Sequence, residues 1–316
     1  MNKKYSLTGF ADEIADDLST QIEMLHKLNM HYVEMRGVDG NTLVFHDDDK
    51  VREIKKRLDY AGIRLSAVGS PFGKIGIDEP FGQHFDEFKR GVEIAHMMDC
   101  RHIRMFSFYI PEDKIRGNRP SDTELIRNGC SSPDADRDEI RKSNLQYYED
   151  AVMERIGRFV DYAKAEDAVL LHENEKGIYG ELAPECRKLM DNFYGEHFQA
   201  IFDFANFVQA RQDTLEAYEL LKDYIVYIHV KDAKLADGSV VPAGYGDGHV
   251  ADILKKLFDR GFNGFLSLEP HLFDFSGFAG LEKDGVSVKH DTGTAMSGAE
   301  AFETAYNALK RITDSL

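Results

Sequence analysis

LLHEN (170–174), AIFDFAN (200–206), VYIHVKD (226–232) and FLSLEPH (265–271) share one pattern, an apolar run closing on Glu173, Asp203, His229 or Glu269. These four residues are separated by 30, 26 and 40 positions. A barrel of about 250 residues divided into eight strand–helix units uses ~31 per unit. In such a barrel the C-terminal ends of different strands converge on one mouth. Two glutamates, one aspartate and one histidine gathered there form an oxygen-rich pocket with a single nitrogen. That donor set suits a divalent cation with open positions, and Mn²⁺ is the expected occupant, with Mg²⁺, Co²⁺ and Zn²⁺ as alternatives.

The rest of the chain follows the same rhythm. YSLTGF (5–10), YVEM (32–35), IRLSAV (63–68) and HIRMFSF (102–108) read as strands one to four. AVLLHE (168–173), QAIFDF (199–204), IVYIHV (225–230) and GFLSLE (264–269) read as strands five to eight. Leu18, Ile22, Leu25 and Leu28 mark a first helix with Asp17 or Ser19 as N-cap, and Val51, Ile54 and Leu58 mark a second that stops at Gly62. Further helices are expected with Phe85, Phe88, Val92 and Ala95 on one face, and over 143–166, 181–193, 214–222, 249–260 and 297–312. Eight alternating units predict an α/β chain folded as one (βα)₈ TIM barrel over residues 1–316. Two polar or glycine-rich segments interrupt it, near 111–142 and 270–296. Both read as long loops on the catalytic face, serving as lids, as surfaces for homo-oligomer packing or as decoration.

Composition narrows the partners. The net charge is −17, whereas nucleic-acid affinity rests largely on Lys and Arg neutralising phosphates. A small, neutral or modestly charged carbohydrate fits better than DNA or RNA. Cys100, Cys130 and Cys186 are odd in number and lack CxxC spacing, which argues against a disulfide framework and a cysteine metal site. The start, MNKKYSLTGFADEIADD, has no sustained apolar core, and no run of ~18 apolar residues occurs. The expectation is a soluble cytoplasmic protein without a membrane span.

Taken together, TGFADEI, FDFANF, HVKD and SLEPH resemble the sugar phosphate isomerase/epimerase family, the xylose isomerase-like TIM barrels that include ketose 3-epimerases and endonuclease IV. The resemblance covers essentially the whole chain. It implies that Glu173, Asp203, His229 and Glu269 are metal ligands. It also implies that Glu173 and Glu269 are the catalytic acid/base pair, one removing a proton from a bound ketose and the other returning it. The chain departs from the family at Asn206, where ketose epimerases commonly carry a histidine that asparagine cannot replace as a proton carrier. The epimerase arginine shortly after the strand-seven histidine is also not evident, since Lys234 and Leu235 occupy that region.

Around the four ligands, Asn206, Lys231, Asp232 and Arg104 are the candidate substrate-binding residues. Lys231 shares strand parity with His229 and so faces the mouth or the surface as one reading or the other. Asp232 orients a ligand, binds a substrate hydroxyl, or caps a loop. Glu13, Arg36 and His271 are open between substrate contact and ion pairs within the barrel. His172 neighbours Glu173 and is expected to point out of the barrel. GYGDGH (244–249) offers backbone amides to an anion or is a simple turn.

The leading expectation is a metal-dependent isomerase or epimerase of a sugar or keto-sugar, acting through an enediolate. The alternatives are a metal-dependent lyase or dehydratase on an oxidised sugar or glycoside, endonuclease IV-like DNA repair, and a non-catalytic sugar-binding barrel.

Overall fold

In the computed structural model, residues 5–111, 133–273 and 296–316 are described. Eight strands, β1 Ser6–Gly9, β2 Tyr32–Met35, β3 Arg64–Val68, β4 His102–Met105, β5 Val169–Glu173, β6 Phe198–Asp203, β7 Ile225–Val230 and β8 Phe265–Leu268, form one sheet. Every neighbouring pair is parallel, β8 returns to pair with β1, and a bridge between Phe10 and Glu34 joins β1 to β2. The strands follow chain order around the ring, as the repeated strand–helix spacing predicts.

The outer helices are α1 Leu18–Lys27, α2 Asp48–Ala61, α3 Phe81–Met97, α4 Pro133–Ala165, α5 Ala183–Phe193, α6 Thr214–Leu221, α7 Val250–Asp259 and α8 Gly298–Ser315. Asp17 caps α1 by accepting from the Thr20 amide, and Gly62 ends α2 in the left-handed conformation at φ 69°. Ser297 and Glu300 close a capping box at the start of α8. No helix among the described residues is long and apolar enough to cross a membrane.

Two apolar layers hold the barrel. The larger lies between sheet and helices, where Phe159 of α4 packs 4.5 Å from the ring of Phe88 and 5.1 Å from that of Phe81. A small inner cluster of Ala67, Val169, Leu171, Ile201 and Tyr227 fills the barrel itself. Above that plug the inward positions turn polar. This change of chemistry along the barrel axis places the site.

The expected loop at 111–142 is shorter than its sequence suggests, because residues 133–142 already belong to α4. That stretch, PDADRDEIRK, has almost no apolar periodicity to announce a helix. Residues 112–132 and 274–295, the bulk of both expected loops, lie outside the described residues, as does Cys130. The sequence also gave no sign of a short helix at Phe204–Gln209, which begins immediately after β6 and uses Asp203 as its N-cap.

Candidate metal centre at the barrel mouth

Glu173, Asp203, His229 and Glu269 come from the ends of β5, β6, β7 and β8, and all four are buried. One donor atom from each lies within 4.8 Å of the others. His229 Nδ1 is 2.8 Å from Glu173 Oε1 and 3.5 Å from Glu269 Oε2. Asp203 divides its two oxygens between tasks. Oδ1 accepts from the Asn206 backbone amide at 2.8 Å, capping the short helix. Oδ2 is buried, lies 3.2 Å from the Lys231 ammonium, and accepts no hydrogen bond.

That orphaned carboxylate oxygen tests whether these residues suit a divalent cation. A buried acceptor without a donor is expensive, and an ion held by the four groups would satisfy it. Three carboxylates and one imidazole are also the donor chemistry expected for Mn²⁺ or Mg²⁺. The residues fit the ion.

Three expected substrate contacts surround this cluster. Lys231 faces the mouth and donates to Glu269 Oε2 at 3.0 Å. Arg104 donates to Glu173 Oε2 at 3.1 Å and lies 3.8 Å from Glu269 Oε1, so its guanidinium spans the two glutamates. Asn206 Nδ2 donates to the Asn174 carbonyl at 2.9 Å and sits 3.5 Å from Glu173 Oε1. Asp232, the fourth, is engaged elsewhere. Its carboxylate accepts from the amides of Ala233, Gly244, Gly246 and Gly248 at 2.9, 2.9, 3.0 and 2.9 Å. The glycine loop does cradle an anion, and the anion is this side chain.

Burial and neighbouring charges shift the acids of the site in opposite directions. Burial alone would push the Glu269 carboxyl up, but Lys231, His271, His229 and Arg104 override it and hold the group well below its usual range. Asp203 goes the other way. Burial, with Glu269 and Glu173 nearby, outweighs Lys231 and raises it to about 7. Burial disfavours the charged form of His229, yet Glu173 and Glu34 on either side raise its pKa well above normal. Glu13, buried next to Glu269, is raised to about 8, chiefly by burial and against the pull of Arg36. The mouth therefore holds more acid than its cations neutralise.

The remaining candidates also find places. Arg36 donates to Asp12 at 2.7 Å and lies 3.3 Å from Glu13 and 3.4 Å from Glu269. The His271 amide donates to Glu13 at 2.7 Å. His172 points away from the cluster to Ser107 Oγ at 3.0 Å, and burial lowers its pKa to about 3. Beside the cluster opens a cavity of about 610 Å³ whose lining includes Arg36, Asn41, Lys74, Arg104 and Tyr109.

Two residues near the ligands escaped sequence reasoning. Asn174 exchanges hydrogen bonds with the Asp203 backbone at 2.9 and 3.1 Å. Glu34 lies behind His229, 3.1 Å from Nε2. An acid between Val33 and Met35 is unusual for a barrel strand, but nothing in the sequence joins Glu34 to His229.

Comparison with curated proteins finds no match. Among solved structures, a D-tagatose 3-epimerase-like protein shares 14% identity at TM-score 0.65, with 98% of this chain and 99% of that one covered. The probable 3-DHS dehydratase AsbF of Bacillus anthracis shares 14% at TM-score 0.62, covering 84% and 92%. A xylose isomerase-like TIM barrel protein from Mycobacterium smegmatis in complex with magnesium shares 13% at TM-score 0.63, covering 100% and 98%. At such identities the likeness is one of fold. The model of the xylose isomerase-like TIM barrel family matches residues 22–288, and with this barrel in place the chain belongs to that family.

Proposed function

We propose that the chain is a divalent-metal-dependent isomerase or epimerase of a sugar or keto-sugar, moving a proton through an enediolate with Glu173 and Glu269. The observation that carries this reading is the convergence of Glu173, Asp203, His229 and Glu269 within 4.8 Å at the barrel mouth. Mn²⁺ is the proposed ion, with Mg²⁺, Co²⁺ and Zn²⁺ to be compared; magnesium is the ion in one structural neighbour. When bound, a divalent cation polarises a substrate carbonyl and makes the adjoining C–H acidic.

The chain's own residues supply the rest. As the family resemblance implies, Glu173 and Glu269 divide the transfer, one removing the proton and the other returning it on the opposite face. Arg104 spans both carboxylates and opposes negative charge developing on a substrate oxygen between them. Lys231, anchored to Glu269 and close to Asp203, offers a second cationic donor to a hydroxyl or carbonyl. The Asn206 amide, 3.5 Å from Glu173, holds that glutamate's orientation and hydrogen-bonds substrate without carrying a proton. Asp232 supports the mouth by fixing the 244–248 loop.

Incubating metal-loaded protein with a panel of ketoses and keto-sugars in D₂O tests the reading. It expects metal-dependent incorporation of deuterium at a carbon beside the carbonyl, with products isomeric with the substrate apart from that deuterium, and loss of exchange in Glu269→Gln. No exchange across the panel by folded, loaded protein would overturn it.

A second reading, elimination by a lyase or dehydratase, has one observation in its favour. Three residues after Asp203, where the resemblance implies a histidine in ketose epimerases, the chain holds Asn206. Proton abstraction beside a leaving group would then end in loss of water or an aglycone, which mass spectrometry of the same reactions separates from isomerisation.

A further inference from the structure

Below the mouth, one buried acid has a role that the four ligands do not explain. Glu34 lies in β2 and is completely buried. Its Oε2 accepts from the Ser267 hydroxyl at 2.6 Å and the Tyr227 hydroxyl at 2.8 Å. His229 Nε2 stands 3.1 Å from Oε2 and 3.3 Å from Oε1. The Tyr227 hydroxyl is also 2.9 Å from Ser66 Oγ, which in turn is 2.7 Å from Thr8 Oγ1. Side chains from β1, β2, β3, β7 and β8 thus make a single hydrogen-bonded layer beneath the mouth.

The backbone is adjusted to build it. Pairing between β2 and β3 slips between Val33 and Glu34, so that Ser66 is the extra residue on β3. A second slip between β6 and β7 falls just before Tyr227. Such irregularities re-aim side chains near functional sites, and here both serve the residues that hold Glu34. An ionised carboxylate buried this deeply is tolerated only when paired and hydrogen-bonded.

What Glu34 accomplishes follows from the two faces of His229. Nδ1 looks toward Glu173 and Glu269, where a cation would sit. Nε2 looks toward Glu34. An imidazole that binds a metal presents a lone pair from one nitrogen and carries its proton on the other. An ionised carboxylate accepts only, so Nε2 must be the donor.

We propose that Glu34 is the positioning residue of the metal centre, fixing the His229 ring as the Nε2–H tautomer so that Nδ1 is the atom offered to the ion. The inference rests on the metal reading of the mouth. Glu34 touches neither substrate nor ion and acts only through the histidine. Tyr227 and Ser267 hold its carboxylate so that it cannot swing away from the ring.

Calorimetric titration of metal-free wild type, Glu34→Gln and Glu34→Asp with Mn²⁺, Mg²⁺ and Zn²⁺ tests this, together with ¹⁵N NMR of the histidine rings in the Zn²⁺-loaded wild type. Carboxylate partners of metal-binding histidines are typically worth ~10–100-fold in metal affinity, and Glu34→Gln is expected to lose that much. Glu34→Asp keeps the charge but withdraws it from the ring, so it is expected to bind less tightly than wild type. The spectra should show His229 protonated on Nε2 and ligated through Nδ1. Equal affinities for wild type and folded variants, or ligation through Nε2, would refute the positioning role while leaving the metal centre intact. If wild type binds none of the ions, the metal reading and this inference fall together. The ring-nitrogen measurement needs no variant, so a substitution that fails to fold does not shelter the proposal.

Discussion

Lys231 shows how a single residue can both stabilise the site and compete for it. Its ammonium lies 3.0 Å from Glu269 Oε2 and 3.2 Å from Asp203 Oδ2. Those are two of the four groups that would hold a cation, so the lysine partly occupies the role the ion would take. Burial works against its charge, but Asp203, Glu269, Glu175 and Glu173 raise its pKa well above normal. It stays charged across the working range. Lys231→Met removes the competitor and also strips buried carboxylates of their neutraliser. Breaking one side of a buried ion pair costs about 3–5 kcal/mol, and that loss should appear in urea melts of the metal-free protein. Metal affinity should move the other way, tightening severalfold by calorimetry. A variant equal to wild type in both measurements would show that Lys231 is peripheral to the cation site.

At the scale of elements, the 232–248 segment shows why its sequence looks as it does. GYGDG alternates glycine because three amides must reach one carboxylate. A Cβ on Gly246 would sit 2.5 Å from Asp232 Oδ1, and one on Gly248 would sit 2.6 Å from the same atom. Asp232→Ala leaves those amides, and that of Ala233, without their acceptor. An unsatisfied buried donor costs about 1–3 kcal/mol, and part of the group can turn to water, so a loss of about 2–4 kcal/mol is expected. Thermal unfolding with the ion absent and present checks it. Stability unchanged within error would mean the loop has another anchor. This element also measures how far the sequence could be read. An anion cradle was legible in the glycine spacing, but not that Asp232, twelve residues before Gly244, is the anion. The eight barrel strands and eight outer helices were legible from apolar periodicity, with caps such as Asp17 and Gly62 marking some of their ends. The start of α4 was not, because residues 133–142 carry charge without an apolar stripe. The helix Phe204–Gln209 was hidden because FDFANF reads equally well as a strand running into a loop. Convergence of Glu173, Asp203, His229 and Glu269 followed from strand-end spacing. Glu34 did not, since its partners Tyr227, His229 and Ser267 are about 190–230 positions away in sequence and only the closed barrel brings them together.

For the whole molecule, the surplus of buried acid makes folding stability depend on pH in a defined direction. Burial raises Asp203 from 3.8 to about 7 and Glu13 from 4.5 to about 8, and the flanking acids raise His229 well above 6.5 despite its burial. The folded protein keeps these protons where the unfolded chain has released them. Their contribution is therefore present in acid and is lost as pH rises through the folded values. Opposite effects act lower down. Burial depresses His84, His102, His172 and His271, so the unfolded chain alone takes up those protons below about 6.5. Cationic neighbours outweigh burial at Glu175 and Glu269 and lower both, and that stability disappears only below about 4.5. Above pH 6.5 the first group acts alone among these. Metal-free protein should thus lose stability between about pH 6.5 and 8, by about 2 kcal/mol or more given 1.4 kcal/mol per pKa unit. Urea melts in the presence of a chelator measure the slope, and Asp203→Asn should flatten it by removing one of the responsible protons. A divalent ion must displace the protons of Asp203 and His229 to bind, so its stabilisation should grow with pH across this window. At 100-fold excess over Kd, stabilisation is about 2.7 kcal/mol, and with ion concentration held fixed it should increase from pH 6.5 to 8. A metal-free profile that is flat or rising over that window, with Asp203→Asn superimposed on wild type, would show that the mouth carries no surplus acid. The electrostatic argument for a cation between these four residues would then be lost.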